Sequence, residues 1–425
     1  MNGSAQRMIE VWADWDGLGG PTFMGTLFAT PSRGKEIFSF EYDDAWLGGS
    51  HAHRLDPSLG LFGGPQYAPG SQSNFGVFLD SCPDRWGRVL MRKREAQLAR
   101  AEERKERQLL ESDYLLGVHD SHRMGALRFR KTKNGPFLDD NQHLASPPWT
   151  SLRELEQVSL QLERKDAQDD PDYAKWLRML IAPGGSLGGA RPKAGVVDNN
   201  GSLWIAKFPS RGDDDDIGGW EGVAHELATR AGLQVTTART RKFGSEHHTF
   251  LAKRFDRTSD GGRVHFASAM TLLQRSDGDD AASGVSYLEL AELLMKSGSR
   301  ADHDLEELWR RIVFFICVSN TDDHLRNHGF LLDAAGWSLA PAYDMNPTPD
   351  GVGLRLNISE TDNTQDLALA QEVAPFFRIK DAPAKEIIDD VAEAVTRWRD
   401  IAKAQGIPRD EQERMASAFD HACNR

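Results

Sequence analysis

A chain of 425 residues with 39% hydrophobic and 27% charged side chains has the makeup of a globular protein, with room for two or three domains or one large domain and an appendage. Its formal net charge of −13 argues against nonspecific binding of the whole chain to nucleic acid or an anionic membrane, although a local basic face stays compatible with it. Cys82, Cys317 and Cys423 lie too far apart for a local metal knuckle and suit a reducing compartment. MNGSAQRMIEVWADW lacks the charged-then-apolar pattern of a signal peptide, and the apolar run near Phe314 is far short of a membrane span. A cytoplasmic protein is expected.

Residues 8 to about 80 are rich in aromatics, Gly and Pro; MIEVWADWDG, PTFMGTLFAT and EIFSFEY read as short strands broken by turns. A long polar helix is expected from Asp84 to Glu111, where nine Lys or Arg face six Asp or Glu, a balance that suits a salt-bridged surface better than a nucleic-acid face. ASPPWTSLRELEQVSLQLE gives a Pro-marked turn, an N-cap at Thr150 or Ser151 and an amphipathic helix. Two strands are expected on either side of the Asn-Asn-Gly turn at 199–201. GGWEGVAHELATRAGL is a helix closed by Gly232, and VTTARTRKFGSEHHTFLAKRFDR returns to strand character. Beyond residue 285 the pattern is mainly helical, apart from a hairpin in NHGFLLDAAGWSLAP. The acidic runs at 213–216 and 277–280 lack the ligand alternation and distal Glu of a calcium loop and read as solvated.

The chemistry concentrates in NTDDHLRNHGF, Asn320 to Phe330, which hangs from the apolar segment RIVFFICVSN. Asp322 and Asn327 have the spacing of the kinase catalytic-loop Asp and its Asn. Such an Asp orients a substrate hydroxyl and accepts its proton, while the Asn amide oxygen binds magnesium. Asp344, just past the hairpin, is placed to complete the metal shell. By itself the Asp/Asn spacing arises by chance in most long chains, and a capping or exposed role is the ordinary one for any such acid. The apolar lead-in and the later acid are what raise its weight. Asp322, not Asp323, fits the spacing, and Asp323 is expected to face solvent. His324 reads as holding backbone or contacting nucleotide.

A phosphate clamp is sought in GGSLGGARPKA, where close glycines expose backbone N–H groups and Arg191 and Lys193 add charge; neither common glycine-rich nucleotide fingerprint is present. Lys207, ending the strand SLWIAK, resembles the strand lysine of V-A-I-K, with Glu221 on the next helix as its candidate partner. A snorkelling surface lysine is the plain alternative.

In order along most of the chain, MGTLFATPSRGKEIFSFEYDDAWL, LDSCPDRWGRVLMRKR, DYLLGVHDSHRMGALRF, SLGGARPKA, WIAKFP, FLAKRFDR, NTDDHLRNHGF and LAPAYDMNP together resemble the HipA family of serine/threonine kinases, the toxins of type II toxin–antitoxin systems. The resemblance implies an α+β, bilobal protein-kinase-like fold with an N-terminal β-rich module and a mainly helical C-terminal lobe. The expected divisions are residues 1–110 for the module and linking helix, 111–275 for an N-lobe-like region with the phosphate loop, and 276–425 for the helical lobe with the catalytic loop. It assigns Gly188, Gly189, Ala190, Arg191, Pro192 and Lys193 to the phosphate loop and Lys207 to the α- and β-phosphates. Lys253, Arg254 and Phe255 would meet adenine at a hinge, Asp322 would be the base, and His324 and Tyr343 would contact nucleotide. Asn327 and Asp344 would hold Mg2+, and Ser186 would be the self-inactivating autophosphorylation site.

ATP and magnesium are the implied cofactors. The implied partners are a helix-turn-helix antitoxin like HipB, operator DNA reached only through it, and a protein substrate phosphorylated on Ser or Thr. Family toxins act on translation components, aminoacyl-tRNA synthetases among them, in growth arrest and bacterial persistence; no residue here identifies a target. Two rivals stay open. A small-molecule phosphotransferase would share the Asp, Asn, Asp logic, and a non-catalytic co-repressor bound to the antitoxin would need only the fold.

Overall fold

Ile9, Val11 and Ala13 in RMIEVWA, and Phe38, Phe40 and Tyr42 in KEIFSFEY, recur at every second position, the spacing of strands with one buried face. The computed structural model, which describes residues 6–138, 147–181 and 189–424, has them there. Strands β1 (Arg7–Ala13), β2 (Thr22–Ser32), β3 (Lys35–Tyr42), β4 (Gln66–Tyr67) and β5 (Leu127–Arg130) form one antiparallel sheet in the order β4-β3-β2-β1-β5. Ile9, Val11, Leu27, Ala29, Phe38 and Phe40 line its buried face. The β2–β3 connection is a two-residue turn whose Arg33 and Gly34 both have positive φ, the geometry that matches strand twist in a tight hairpin. At Gly25 a Cβ would lie 2.2 Å from the Glu41 carbonyl oxygen, so only glycine lets the two backbones approach there.

The chain divides into two compact units, residues 1–211 with 256–267 and residues 212–255 with 268–425. Besides the sheet, the first unit holds the short helices α1 (Asp44–Leu47) and α2 (Gly76–Leu79), then α3 (Arg85–Ala101), α4 (Glu111–Leu116), α5 (Leu152–Leu162) and α6 (Tyr173–Ile181). Ser151 precedes α5 as expected, although its side chain makes no capping bond. The antiparallel pair β6 (Lys193–Val197) and β7 (Leu203–Lys207) closes over a turn that Asp198 ties down by accepting from the Asn200 and Ser202 amides, both at 2.9 Å.

The polar helix expected to run to Glu111 stops at Ala101. Glu95 explains the early stop. Its side chain is buried, and Arg104, from beyond the helix end, reaches back to it at 2.6 Å while the Arg107 amide donates to the same carboxylate at 2.9 Å. A continuous helix would carry both groups away from Glu95 and leave a buried charge unpaired. Chiefly through the Arg104 hydrogen bond, the Glu95 carboxyl is held down at about 2.

In the second unit, α7 (Ile217–Arg230) ends at Gly232, whose φ of +78° reverses the chain. Strands β8 (Ala238–Arg241) and β9 (Thr249–Lys253) pair antiparallel, and the chain crosses to the first unit after Phe255 and returns through β10 (Phe266–Ser268). Short α8 (Ala269–Leu272) is followed by α9 (Tyr287–Ser297), α10 (Ala301–Cys317), the hairpin β11 (Gly329–Asp333) and β12 (Gly336–Leu339), and then α11 (Leu367–Val373), α12 (Asp381–Thr396), α13 (Trp398–Ala404), α14 (Arg409–Arg414) and α15 (Asp420–Cys423). Helix α10 is the core of this unit: Leu305, Leu308, Ile312, Val313, Phe314 and Ile316 are all fully buried. The acidic run at 213–216 is not wholly solvated. Asp216 is buried as the N-cap of α7, bonded to the Gly219 amide and to His248, so its charge is matched by donors rather than by water. Among the described residues no helix is long and apolar enough to cross a membrane.

Candidate active site

The loop after α10 is built by backbone bonds that its own polar side chains complete. Ser319 takes a left-handed φ of +49°, turning the chain out of the helix, and the Asn320 amide closes back on the Phe315 carbonyl at 2.9 Å. Asn320 Oδ1 in turn accepts from the Asn346 amide at 3.1 Å, tying this loop to the segment after β12. The His324 amide bonds the Asp322 carbonyl at 2.9 Å and the Asn327 amide bonds the His324 carbonyl at 2.7 Å. Asn327 Nδ2 also donates to the Asp322 carbonyl, at 3.1 Å. The five-residue spacing therefore folds Asp322 and Asn327 against each other.

Asp322 is exposed. Its neighbour does not face solvent. Asp323 is 1% exposed, accepting from the Tyr287 hydroxyl at 2.8 Å and from His328 Nε2 at 2.7 Å. The expectation failed because two donors, one from α9 and one from the end of the loop, cover the cost of burying the carboxylate. Burial, and then the Asp323 charge, hold the Tyr287 phenol well above its usual range, so it stays a donor.

Asn327 is buried, and with its amide nitrogen engaged its Oδ1 has no hydrogen-bond partner among the described residues; the same is true of His324 Nδ1. An orphaned buried carbonyl oxygen is costly unless a ligand meets it, and a hard cation is the ligand that an amide oxygen suits. Asp344 supplies a carboxylate from the other side of the hairpin, in a left-handed backbone at φ +59° that non-glycine residues rarely adopt. Tyr343 beside it donates to the Arg326 carbonyl at 2.6 Å and packs its ring 5.4 Å from that of Phe255. The described residues hold no cluster of three or more His, Cys, Asp or Glu arranged for a metal. An amide oxygen at Asn327 and a carboxylate at Asp344 are oxygen donors of the kind that a hard cation takes together with phosphate and water.

Lys253 ends β9, its carbonyl taken by the Thr236 hydroxyl at 2.8 Å, and Arg254 and Phe255 follow it to the crossing between units, Arg254 buried and Phe255 half-buried. Glu221 is buried on α7.

In the first unit, the β6–β7 register sets Lys193 directly opposite Lys207. Opposed residues of an antiparallel pair project from the same face, so two ammonium groups share it, an arrangement that destabilises a bare hairpin and suits an anion. Lys193, expected from sequence to add charge to the phosphate loop, is held within the first unit: its Nζ donates to Asp84 at 2.6 Å and to the Gly189 carbonyl at 3.2 Å, and Trp86 Nε1 donates to its backbone carbonyl at 3.2 Å. Gly189 has a φ of +70°, Ala190 is exposed, and the Pro192 carbonyl receives the Phe208 amide at 2.8 Å. Arg191 donates to the Phe208 carbonyl. Ser186 and Gly188 lie outside the described residues.

Sequence reasoning missed Asp84 and Trp86 at Lys193 and Tyr287 and His328 at Asp323. Asp84 was legible only as the start of a helix, and nothing local in DRWG points to a lysine 109 residues on.

Residues 185–399 match the model of the HipA-like C-terminal domain. Two proteins of Sinorhizobium fredii are similar over part of the chain: "Putative kinase Y4mE", 26% identical over 50% of this chain and 56% of that protein, and "Putative kinase Y4dM", 28% identical over 49% and 54%. The chain thus spans about half the length of the curated relatives it matches. The solved structure of the Shewanella oneidensis MR-1 toxin–antitoxin system HipA, with HipB and its operator DNA, shares the fold at a TM-score of 0.67 and 17% identity, over 98% of this chain and 96% of that one. With its mixed α and β architecture and a family match covering half its length, the chain belongs to the HipA family.

Proposed function

We propose that this protein is an ATP- and Mg2+-dependent serine/threonine protein kinase and the toxin of a toxin–antitoxin pair. The carrying observation is the loop after α10, where an exposed Asp322 is folded against Asn327 and the buried Asn327 Oδ1 has no hydrogen-bond partner among the described residues. Asp322 orients the substrate hydroxyl and takes its proton. Asn327 and Asp344 would hold magnesium, whose chemistry there would be to neutralise phosphate charge. Gly188 to Lys193 cradle the phosphates and Lys207 binds the α- and β-phosphates, while Lys253 to Phe255, His324 and Tyr343 meet the nucleoside. Such a site works by positioning and charge neutralisation rather than by covalent chemistry. In this reading residues 1–110 are an N-terminal module, 111–275 carry the phosphate loop and 276–425 the catalytic loop. Kinase names among the relatives and the toxin identity of the S. oneidensis structure support it.

The partner is a small helix-turn-helix protein like the HipB of that complex, with operator DNA reached through it, and Ser186 is the self-inactivating phosphosite. The test is incubation of the full chain with magnesium and γ-labelled ATP, followed by peptide mapping. Label on Ser186 in the wild type, lost in Asp322→Asn without loss of nucleotide binding, is the expected result. Asp344→Asn should in addition weaken magnesium-dependent nucleotide binding. Wild-type turnover in Asp322→Asn would remove Asp322 as the base.

A further inference from the structure

Lys193 is enclosed more completely than a phosphate-loop lysine needs to be. It is 2% exposed, and both its ends are gripped by the start of α3: its ammonium by Asp84 at 2.6 Å and its backbone carbonyl by Trp86 Nε1 at 3.2 Å. Asp84 divides its carboxylate between two tasks. One oxygen caps α3 by accepting from the Gly87 amide at 2.8 Å, and the other meets Lys193. With Lys207 opposite it on the same face, a buried Lys193 without a counter-charge would combine desolvation with like-charge repulsion; Asp84 offsets both. An ammonium has three donors, and among the described residues two of them are used, on Asp84 and Gly189. A buried ion pair adds little stability over an apolar pair of equal volume, so folding alone does not account for a lysine in this place.

We propose that Asp84 is a positioning residue for the phosphate loop. From outside the span that matches the HipA-like C-terminal domain, it fixes the Lys193 ammonium at the base of the loop so that the remaining donor meets a phosphate oxygen of the nucleotide. The proposal rests on the nucleotide-site reading given above.

The test is calorimetric titration of the full chain with magnesium and a non-hydrolysable ATP analogue, which avoids self-phosphorylation. Asp84→Asn and Asp84→Ser are measured with Lys193 present and again with Lys193→Met. Asn and Ser are both good N-caps, so α3 keeps its cap while the ion pair is lost. Analogue Kd should rise roughly tenfold in each, the effect of one misplaced charge-assisted contact. Neither substitution should have a further effect once Lys193 is Met, and Asp84→Glu should restore part of the affinity. A merely structural role would not give that non-additivity. Unchanged affinity, an equal penalty whatever stands at 193, or loss of folded protein in both capped variants would each overturn the proposal. A wild type that binds no analogue would instead overturn the nucleotide-site reading beneath it.

Discussion

Tyr287→Phe removes one oxygen atom from beneath the candidate catalytic loop. The Tyr287 hydroxyl donates at 2.8 Å to Asp323, and neither residue is more than 1% exposed. Hydrogen bonds to charged groups contribute about 1.5–3 kcal/mol. The carboxylate keeps its second donor, His328 Nε2 at 2.7 Å, so it is not stranded, and the ring stays packed edge-on at 5.7 Å from His328, so the void is no larger than the lost atom. The expected loss is therefore about 2 kcal/mol. Asp323→Ala strips both donors of their acceptor and should cost more, since each buried donor left unsatisfied costs about 1–3 kcal/mol. Urea titration at constant temperature, followed by circular dichroism and checked for an unchanged slope, measures both. Because Asp322 is the next residue, the label transferred from ATP should fall in the same order as stability. A Tyr287→Phe protein within about 0.5 kcal/mol of wild type, the range of an ordinary surface change, would refute the idea that Asp323 anchors the loop.

Two further outcomes come from the first unit. Glu95 titrates at about 2 when folded against an ordinary 4.5, so between those values the unfolded chain binds more protons and stability rises with pH. Its contribution is complete above about 4.5 and is lost as pH falls towards 2; Glu95→Gln should flatten the stability profile across that window, and an unchanged slope there would contradict the Arg104 pairing. Gly25→Ala drives a methyl into the Glu41 carbonyl and should destabilise the sheet by about 1–3 kcal/mol, read by thermal unfolding; a neutral result would mean that the strands can part there at no cost.

The features legible in the sequence are the ones written locally. Gly232 closes α7, the turn at 199–201 joins β6 and β7, and the apolar stretch before Asn320 is the buried end of α10. Likewise, the spacing of Asp322 and Asn327 announces a tight loop, because a five-residue step is itself a local geometry. What stayed hidden depends on partners distant in sequence. Asp323 looks like its neighbour until Tyr287, 36 residues earlier, is placed over it. The end of α3 is invisible in a uniformly charged helix, since only the burial of Glu95 makes Arg104 and Arg107 turn back. The counter-charge of Lys193 stays hidden because it also serves as a helix cap far upstream.

The facing of Lys193 and Lys207 carries a rule about parity. Side chains alternate faces at every step along a strand, so shifting one arm of the β6–β7 hairpin by a single residue would send one lysine to the opposite face, while a shift of two would keep both on one face and merely slide them apart. The connection held by Asp198, whose other carboxylate oxygen takes the Trp204 indole at 2.8 Å, is thus a counting device. Single-residue insertions or deletions between Asp198 and Ser202 should part the two lysines as surely as replacing one of them.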